Sequence, residues 1–295
     1  MEYWVHDLDP FLIRFWGDVG IRWYGLAYIL GFALAWWLVR RWSDQGRLPI
    51  SRQGVADFVL YAAIAMIVGG RLGYCLFYYQ TPEHGAMIAF LRDPLVLFRM
   101  WEGGMASHGG IAGLFFGTWL YCRMRKVPFM VMGDTVAATA GIGVAMGRLA
   151  NFINGELWGR TTEVPWAVIF PAAGPEPRHP SQLYAMGLEG LLMLTVALSV
   201  HHFHRRPGLT GAAALITYSF GRFIGEFMRQ PDPGYALYFG WMSKGQALTL
   251  PLFAVAVTLL VYAWRQGPKP EAYLRPEPQA DSSNKTAKKT GTARR

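Results

Sequence analysis

The sequence predicts an all-α polytopic membrane protein of seven transmembrane helices, N-terminus out and C-terminus in, with a small cap outside the membrane. Three observations predict it. Apolar residues make up 53% of the 295 and charged residues only 16%, against about 25% charged in soluble domains, and the mean hydropathy is +0.19. The 12 Trp, 14 Tyr and 18 Phe suit a chain whose amphipathic rings mark two lipid–water interfaces. Basic residues recur in short loops after alternate apolar stretches. Topology therefore accounts for the net charge of +9 better than nucleic acid, the usual partner of a basic chain.

A membrane span needs about 20 mostly apolar residues. Seven stretches qualify: 20–39, 55–79, 107–122, 134–153, 181–200, 209–229 and 244–264. The third and fourth are short or glycine-rich, and the sixth turns polar at its end. Glycines such as Gly69, Gly73, Gly109, Gly113, Gly141, Gly143 and Gly147 are expected to let helices approach closely. The first stretch is expected to stay in the protein: residues 1–7 are acidic, and Arg40-Arg41 follows it instead of a small-residue cleavage site. Arg40, Arg41, Arg47 and Arg52 follow the first stretch, Arg123, Arg125 and Lys126 the third, Arg205 and Arg206 the fifth, and Arg265 and Lys269 the seventh. Placing these loops in the cytoplasm leaves the N-terminus and segments 80–106, 154–180 and 230–243 on the opposite face.

Residues 85–101, interrupted by Asp93-Pro94, read as an interfacial segment rather than a span. Segment 154–180, with Trp158, Trp166 and several prolines, is expected to form the cap, with a short strand over 164–170. The catalytic unit is then 1–266. Residues 267–295, polar, basic and low in complexity, read as a disordered cytoplasmic tail. Cys75 and Cys122 lie in different spans without His or Cys neighbours at ligand spacing, so neither a disulfide framework nor a metal site is expected.

Ionisable groups at membrane depth are costly, and they face a protein interior or a water-filled cavity. The run Gly147-Arg148-Leu149-Ala150-Asn151-Phe152-Ile153-Asn154-Gly155-Glu156-Leu157-Trp158-Gly159-Arg160 puts such groups at the end of an apolar span. The orientation brings others to the same side: Tyr24 opens the first span, His108 the third, and Arg71 lies in the second. Arg222, Glu226 and Arg229, at i, i+4 and i+7 behind Tyr218, would share one face of the sixth. Each has a plainer reading. His108 could be a hydrogen-bonded structural residue, Glu226 could neutralise an arginine, and Arg71 could snorkel or pair internally. Arg148 and Arg222 are harder to dismiss, because helix packing has no need of guanidinium, whereas its planar fork matches phosphate oxygens. Two forks at one depth suggest a phosphate between them.

These residues resemble the prolipoprotein diacylglyceryl transferase family of the bacterial inner membrane. The resemblance rests on Gly147–Gly159, Arg22-Trp23-Tyr24-Gly25, Gly103–Gly110 with His108, Arg178-His179-Pro180-Ser181-Gln182-Leu183-Tyr184, and Arg222…Glu226…Arg229-Gln230-Pro231-Asp232. They recur in family order over roughly residues 20–265. It implies seven transmembrane helices, a small periplasmic head and a site opening to the periplasmic leaflet. It also implies transfer of diacylglycerol from phosphatidylglycerol to the lipobox cysteine of a prolipoprotein, releasing glycerol 1-phosphate. By position, Arg148 would hold the headgroup, His108 would be the base and Arg222 a second essential cation. Tyr24, Asn151, Glu156, Gly159 and Glu226 fall at matching positions, Gly159 with the lipid-binding set. Three positions depart from the family pattern: Ala150 for glycine, Ala106 for serine and Ala185 for glutamate.

The chemistry suits the residues. A free thiol has a pKa of about 8.5, so a base such as histidine helps form the attacking thiolate. Displacement at the glycerol carbon leaves a phosphate monoester whose developing charge calls for placed cations. A histidine, a carboxylate or the lipid phosphate could each take the thiol proton. No metal or nucleotide motif occurs, and no cofactor is required. The rivals are a transporter for an anionic solute, which needs polar residues continuing to the cytoplasmic side, and a lipid-binding scaffold, which leaves His108 without a task.

Overall fold

The computed structural model describes residues 2–17, 19–82, 84–99, 103–231 and 238–274. Met100, Trp101 and Asp232, and the expected tail beyond residue 274, lie outside the described residues. In chain order the elements are β1 (Trp4–Val5), β2 (Phe11–Trp16), β3 (Val19–Arg22), α1 (Trp23–Asp44), α2 (Arg52–Phe77), α3 (Ala86–Arg92), α4 (Ser107–Arg125) and α5 (Phe129–Ile153). Then come β4 (Val168–Ile169), β5 (Pro177–Arg178), α6 (Ser181–Ala185), a π-helix (Met186–Leu192), α7 (Met193–Phe203), α8 (Leu209–Gly225) and α9 (Lys244–Gln266).

Each expected apolar stretch contains a long helical segment. Four of these, Arg52–Phe77, Phe129–Ile153, Ser181–Phe203 and Lys244–Gln266, are long and apolar enough to cross a membrane. Tryptophans and tyrosines dilute α1, α4 opens on Ser107-His108-Gly109-Gly110, and α8 is only 17 residues long. Half of the apolar window of α5 is buried inside the protein, against 17% of that of α9. α5 is thus the central helix, and the uncovered apolar faces call for hydrocarbon rather than water.

Two small sheets correct the all-α expectation. β2 and β3 form an antiparallel hairpin, because aromatic and β-branched residues alternate on either side of the turn at Gly17. β3 claims residues 19–22, so α1 begins at Trp23 rather than at 20. In the cap, β4 pairs antiparallel with β5 and parallel with β1. The strand expected over 164–170 contracts to Val168–Ile169, and the N-terminus supplies its partner. His6 fastens this sheet to the bundle: its Nε2 lies 2.7 Å from the Phe152 carbonyl, and its ring packs on Phe152 and Phe170. Among the described residues of 85–101 there is no long helix, only α3 and a 3-10 turn at Pro94–Phe98.

The closest helix packing joins α2 to α4. A methyl on Gly73 would come within 2.9 Å of Gly109 Cα, and one on Gly69 within 2.7 Å of Gly113 Cα. Without side chains there, the backbones meet. Gly141 makes a similar approach to Leu194, whereas methyls at Gly143 and Gly147 would meet nothing within 4 Å. At one end of the bundle, Val39, Trp42, Val55, Phe58, Tyr121 and Met132 form an apolar core. At the same end Asp134, in the second turn of α5, accepts hydrogen bonds from Gly208 N and Gly211 N at 2.8 Å each, capping α8.

The segment expected to open the tail has local order in its described part. Residues Pro270–Tyr273 form a 3-10 turn. Tyr273 is buried, its hydroxyl 3.4 Å from Asp134 and its ring 5.1 Å from the Arg205 guanidinium. Burial, reinforced by the Asp134 charge, raises the pKa of its phenol above the ordinary value. One aromatic side chain with a partner for its hydroxyl is enough to dock an otherwise polar segment.

Candidate active site

The other end of the bundle gathers the first turn of α1, the last turns of α5 and α8, the π-helix and the start of α9. Two backbone approaches set its geometry. A methyl on Gly190 would lie 2.7 Å from Ala145 Cα, and one on Gly221 would lie 2.8 Å from the Leu188 carbonyl. α5 and α8 therefore both press against the π-helix. Arg148 sits one turn beyond Ala145, Arg222 directly follows Gly221, and Glu189 lies between Leu188 and Gly190.

Glu189 is 1% exposed and joins the two arginines. Its Oε2 accepts from Arg148 Nε at 3.1 Å and from a terminal nitrogen of Arg148 at 2.7 Å. Its Oε1 lies 3.4 Å from Arg222. Arg222 also pairs with Glu226 at 3.0 Å, and the Glu226 carboxylate accepts from the Ser243 hydroxyl at 3.0 Å. Ser243 simultaneously caps α9 in a capping box with Gln246. The neutralising role open to Glu226 is thus observed. The expectation of one face for Arg222, Glu226 and Arg229 is corrected. α8 ends at Gly225, and Arg229 leaves the helix to form a β-bridge with Gly159.

A second group adjoins the first. Asn151 donates from Nδ2 to the Tyr24 hydroxyl at 2.8 Å and to Glu156 Oε1 at 2.7 Å. Gln182 donates to the Glu156 carbonyl at 2.6 Å, and Ser181 to the Leu157 carbonyl at 2.9 Å. Leu157 itself has φ +57°, a left-handed conformation that a leucine adopts at a cost of about 1–3 kcal/mol. Gly159 is a seam residue: a methyl on it would lie 2.6 Å from His179 Cβ and 2.7 Å from the Met228 carbonyl. It does not line the cleft. Burial lowers the pKa of His179 below its ordinary value, favouring the neutral ring beside the Tyr184 hydroxyl.

Arg148, Gln182, Glu189, Arg222 and Arg229 line a narrow polar cleft. An apolar groove of about 250 Å³ lies one helical turn away, between Leu34, Trp37, Ala145, Met146, Leu191 and Leu194. Ala145 and Leu191 in the groove are close neighbours, along their helices, of Arg148 and Glu189 in the cleft. Of the residues expected at the site, the structure brings together Tyr24, Arg148, Asn151, Glu156, Arg222 and Glu226. His108, on the first turn of α4, is exposed, and its side chain makes no hydrogen bond or ion pair to another described residue. Arg71 is a structural clamp. It is buried and donates to the carbonyls of Val96, Leu97, Arg99, Gly103 and Gly104, which holds the chain leading into α4. Sequence reasoning missed Glu189, and it named Gln182 only within the Arg178–Tyr184 motif, without a role. Glu189 had a signal, as the lone carboxylate inside an apolar stretch.

The family model described as prolipoprotein diacylglyceryl transferase matches residues 10–262. The chain belongs to that family. The prolipoprotein diacylglyceryl transferases similar to it carry the name phosphatidylglycerol--prolipoprotein diacylglyceryl transferase. The Rhodopseudomonas palustris protein is 42% identical over 283 residues, spanning 93% of this chain and 96% of its own. The Idiomarina loihiensis protein is 44% identical over 272 residues, 90% of this chain and 98% of its own. The Chromohalobacter salexigens protein is 41% identical over 261 residues, 88% and 94%. The residues matched by the prolipoprotein diacylglyceryl transferase model include both polar groups of the site and the groove beside them.

Proposed function

We propose that this protein transfers the diacylglyceryl group of phosphatidylglycerol to the lipobox cysteine thiol of a prolipoprotein. The observation that carries this reading is the pair of guanidinium groups, Arg148 and Arg222, converging on one carboxylate beside an apolar groove. A phosphate between the arginines would leave its acyl chains room to run along the groove. The thiolate sulfur attacks the glycerol carbon, the C–O bond to phosphate breaks, and its electron pair leaves with glycerol 1-phosphate. The arginines stabilise the charge that develops on that phosphate.

Within this reading His108 takes the thiol proton, its exposure leaving both ring nitrogens open to substrate. Tyr24, Asn151 and Glu156 form the wall next to Arg148 that orients the headgroup, and Glu226 holds Arg222. Gly159 acts on the lipid site through the backbone seam it permits. No cofactor takes part. All seven long helices cross the bacterial inner membrane, N-out and C-in, which puts the site at the periplasmic leaflet. An anionic-solute transporter is less well supported, because the far end of the bundle is filled by the apolar core around Trp42 and Tyr121. The test is to incubate the purified protein with phosphatidylglycerol and a lipobox peptide and weigh the peptide. A mass gain of one diacylglyceryl group with release of glycerol phosphate is expected; an unmodified peptide overturns the reading.

A further inference from the structure

We infer that Glu189 is the built-in counter-ion of the phosphate site, occupying it when empty and yielding it reversibly to the phosphate of the substrate and then of the product. Three observations carry this. The carboxylate is 1% exposed, and each of its oxygens faces a different arginine. Carboxylate and phosphate offer the same acceptor geometry to a guanidinium fork, so the place Glu189 takes is the place a phosphate would take. The residue also stands in the π-helix Met186–Leu192, and π-segments within α-helices are frequent at functional sites. The flanking contacts Gly190–Ala145 and Leu188–Gly221 fix the backbone on both sides of Glu189, so its side chain alone can move.

Charge gives the counter-ion its purpose. Arg148 and Arg222 bring two positive charges, while Glu189 and Glu226 bring two negative ones, all within one chain of ion pairs. An empty site without Glu189 would hold two half-buried guanidinium groups, 20% and 16% exposed, against a single carboxylate, a costly state that would capture any phosphate. It would hold the monoester product, which can carry a second negative charge, harder than the diester substrate. With Glu189 present, an arriving phosphate must displace a carboxylate, and a departing one is replaced by it. Glu189 is thus a positioning residue that favours product release; it acts through the arginines and not on the reacting atoms.

The inference rests on the transfer reading for the names of substrate and product, but its anion-binding half can be tested without the reaction. Wild type, Glu189→Gln and Glu189→Asp are titrated in detergent with inorganic phosphate and with glycerol 1-phosphate, against chloride at equal ionic strength, following thermal unfolding. Glu189→Gln is expected to be less stable without phosphate, to recover with it, and to half-saturate at a concentration about tenfold or more below wild type, a modest share of one charge's worth at this range. Glu189→Asp, with its carboxylate drawn back by one methylene, should fall between. In the peptide assay, Glu189→Gln should lower kcat more than kcat/KM and be inhibited more strongly by glycerol 1-phosphate. A folded Glu189→Gln whose phosphate affinity equals or trails that of wild type overturns the inference, leaving Glu189 a scaffold. If Glu189→Gln does not fold, an unchanged phosphate affinity in Glu189→Asp overturns it equally. If wild type binds phosphate but leaves the peptide unmodified, the transfer reading fails while the counter-ion role stands.

Discussion

Arg148 presents two nitrogens to one oxygen of Glu189, a contact that needs the planar spread of a guanidinium. Lysine keeps the charge but offers a single point of it. Arg148→Lys should therefore lose about 10²-fold in peptide modification, the cost typical of misplacing a bound group; turnover at the wild-type rate would reduce Arg148 to a charge. His108 poses the opposite case, because its side chain makes no hydrogen bond to another described residue. His108→Gln should leave the unfolding temperature nearly unchanged, a surface substitution being worth about 0.5 kcal/mol or less. The chemical step should slow by about 10²–10⁴-fold, the range for a general base. The sign of the pH effect follows from the thiol. As pH rises toward the thiol pKa of about 8.5, thiolate forms unaided and the deficit shrinks. A deficit flat from pH 6 to 9.5 would move the base role to Glu156, Glu226 or the phosphate.

Elements meet where glycine lets them, and the contacts are unequal. Gly109 and Gly113 on α4 press into the α2 backbone at Gly69, Gly73 and Ala65, whereas Gly143 on α5 faces open space. Gly113→Ala should overpack the α2–α4 seam and destabilise by about 1–3 kcal/mol. Gly143→Ala should be neutral or slightly stabilising, since alanine gains up to about 1 kcal/mol of helix propensity over glycine. Thermal unfolding of both variants in one detergent checks this. Equal shifts would mean that the seam is looser than its geometry implies. The same reasoning applies to the active end, where Gly190 and Gly221 hold α5 and α8 against the π-helix. A side chain at either would push an arginine away from Glu189.

The whole molecule is a bundle with two unlike ends. One holds the apolar core, with Asp134 buried beside it, and carries Arg40, Arg41, Arg123, Arg125 and Lys126; the other holds the ion-pair chain and the three-stranded cap. If the basic end is cytoplasmic, single cysteines within 154–180 should react with an impermeant maleimide in intact cells and those within 123–127 should not. Labelling of the 123–127 loop would invert the topology and place the site on the wrong face for a lipobox thiol outside the membrane.

Much of this was legible in the chain itself. Composition and the period of apolar stretches located the long helical segments of the described residues, and four of them are long and apolar enough to cross a membrane. The cost of ionisable groups in such runs singled out Arg148, Arg222 and Glu226 before any fold was known. Three things needed tertiary structure. Helical spacing put Arg229 beside Arg222, but α8 stops at Gly225, where the backbone turns to pair with Gly159; local periodicity does not register a partner about 70 residues away. The strand pairing of Trp4–Val5 with Val168–Ile169 is likewise non-local, and so is the seat of Tyr273 on Asp134. The sequence marked Arg148 and Arg222 as two free forks awaiting a phosphate. Only the packing of Gly190 on Ala145 and Gly221 on Leu188 revealed that Glu189 already stands between them, since which buried charges pair is decided by distances of a few ångströms between helices that the chain itself keeps far apart.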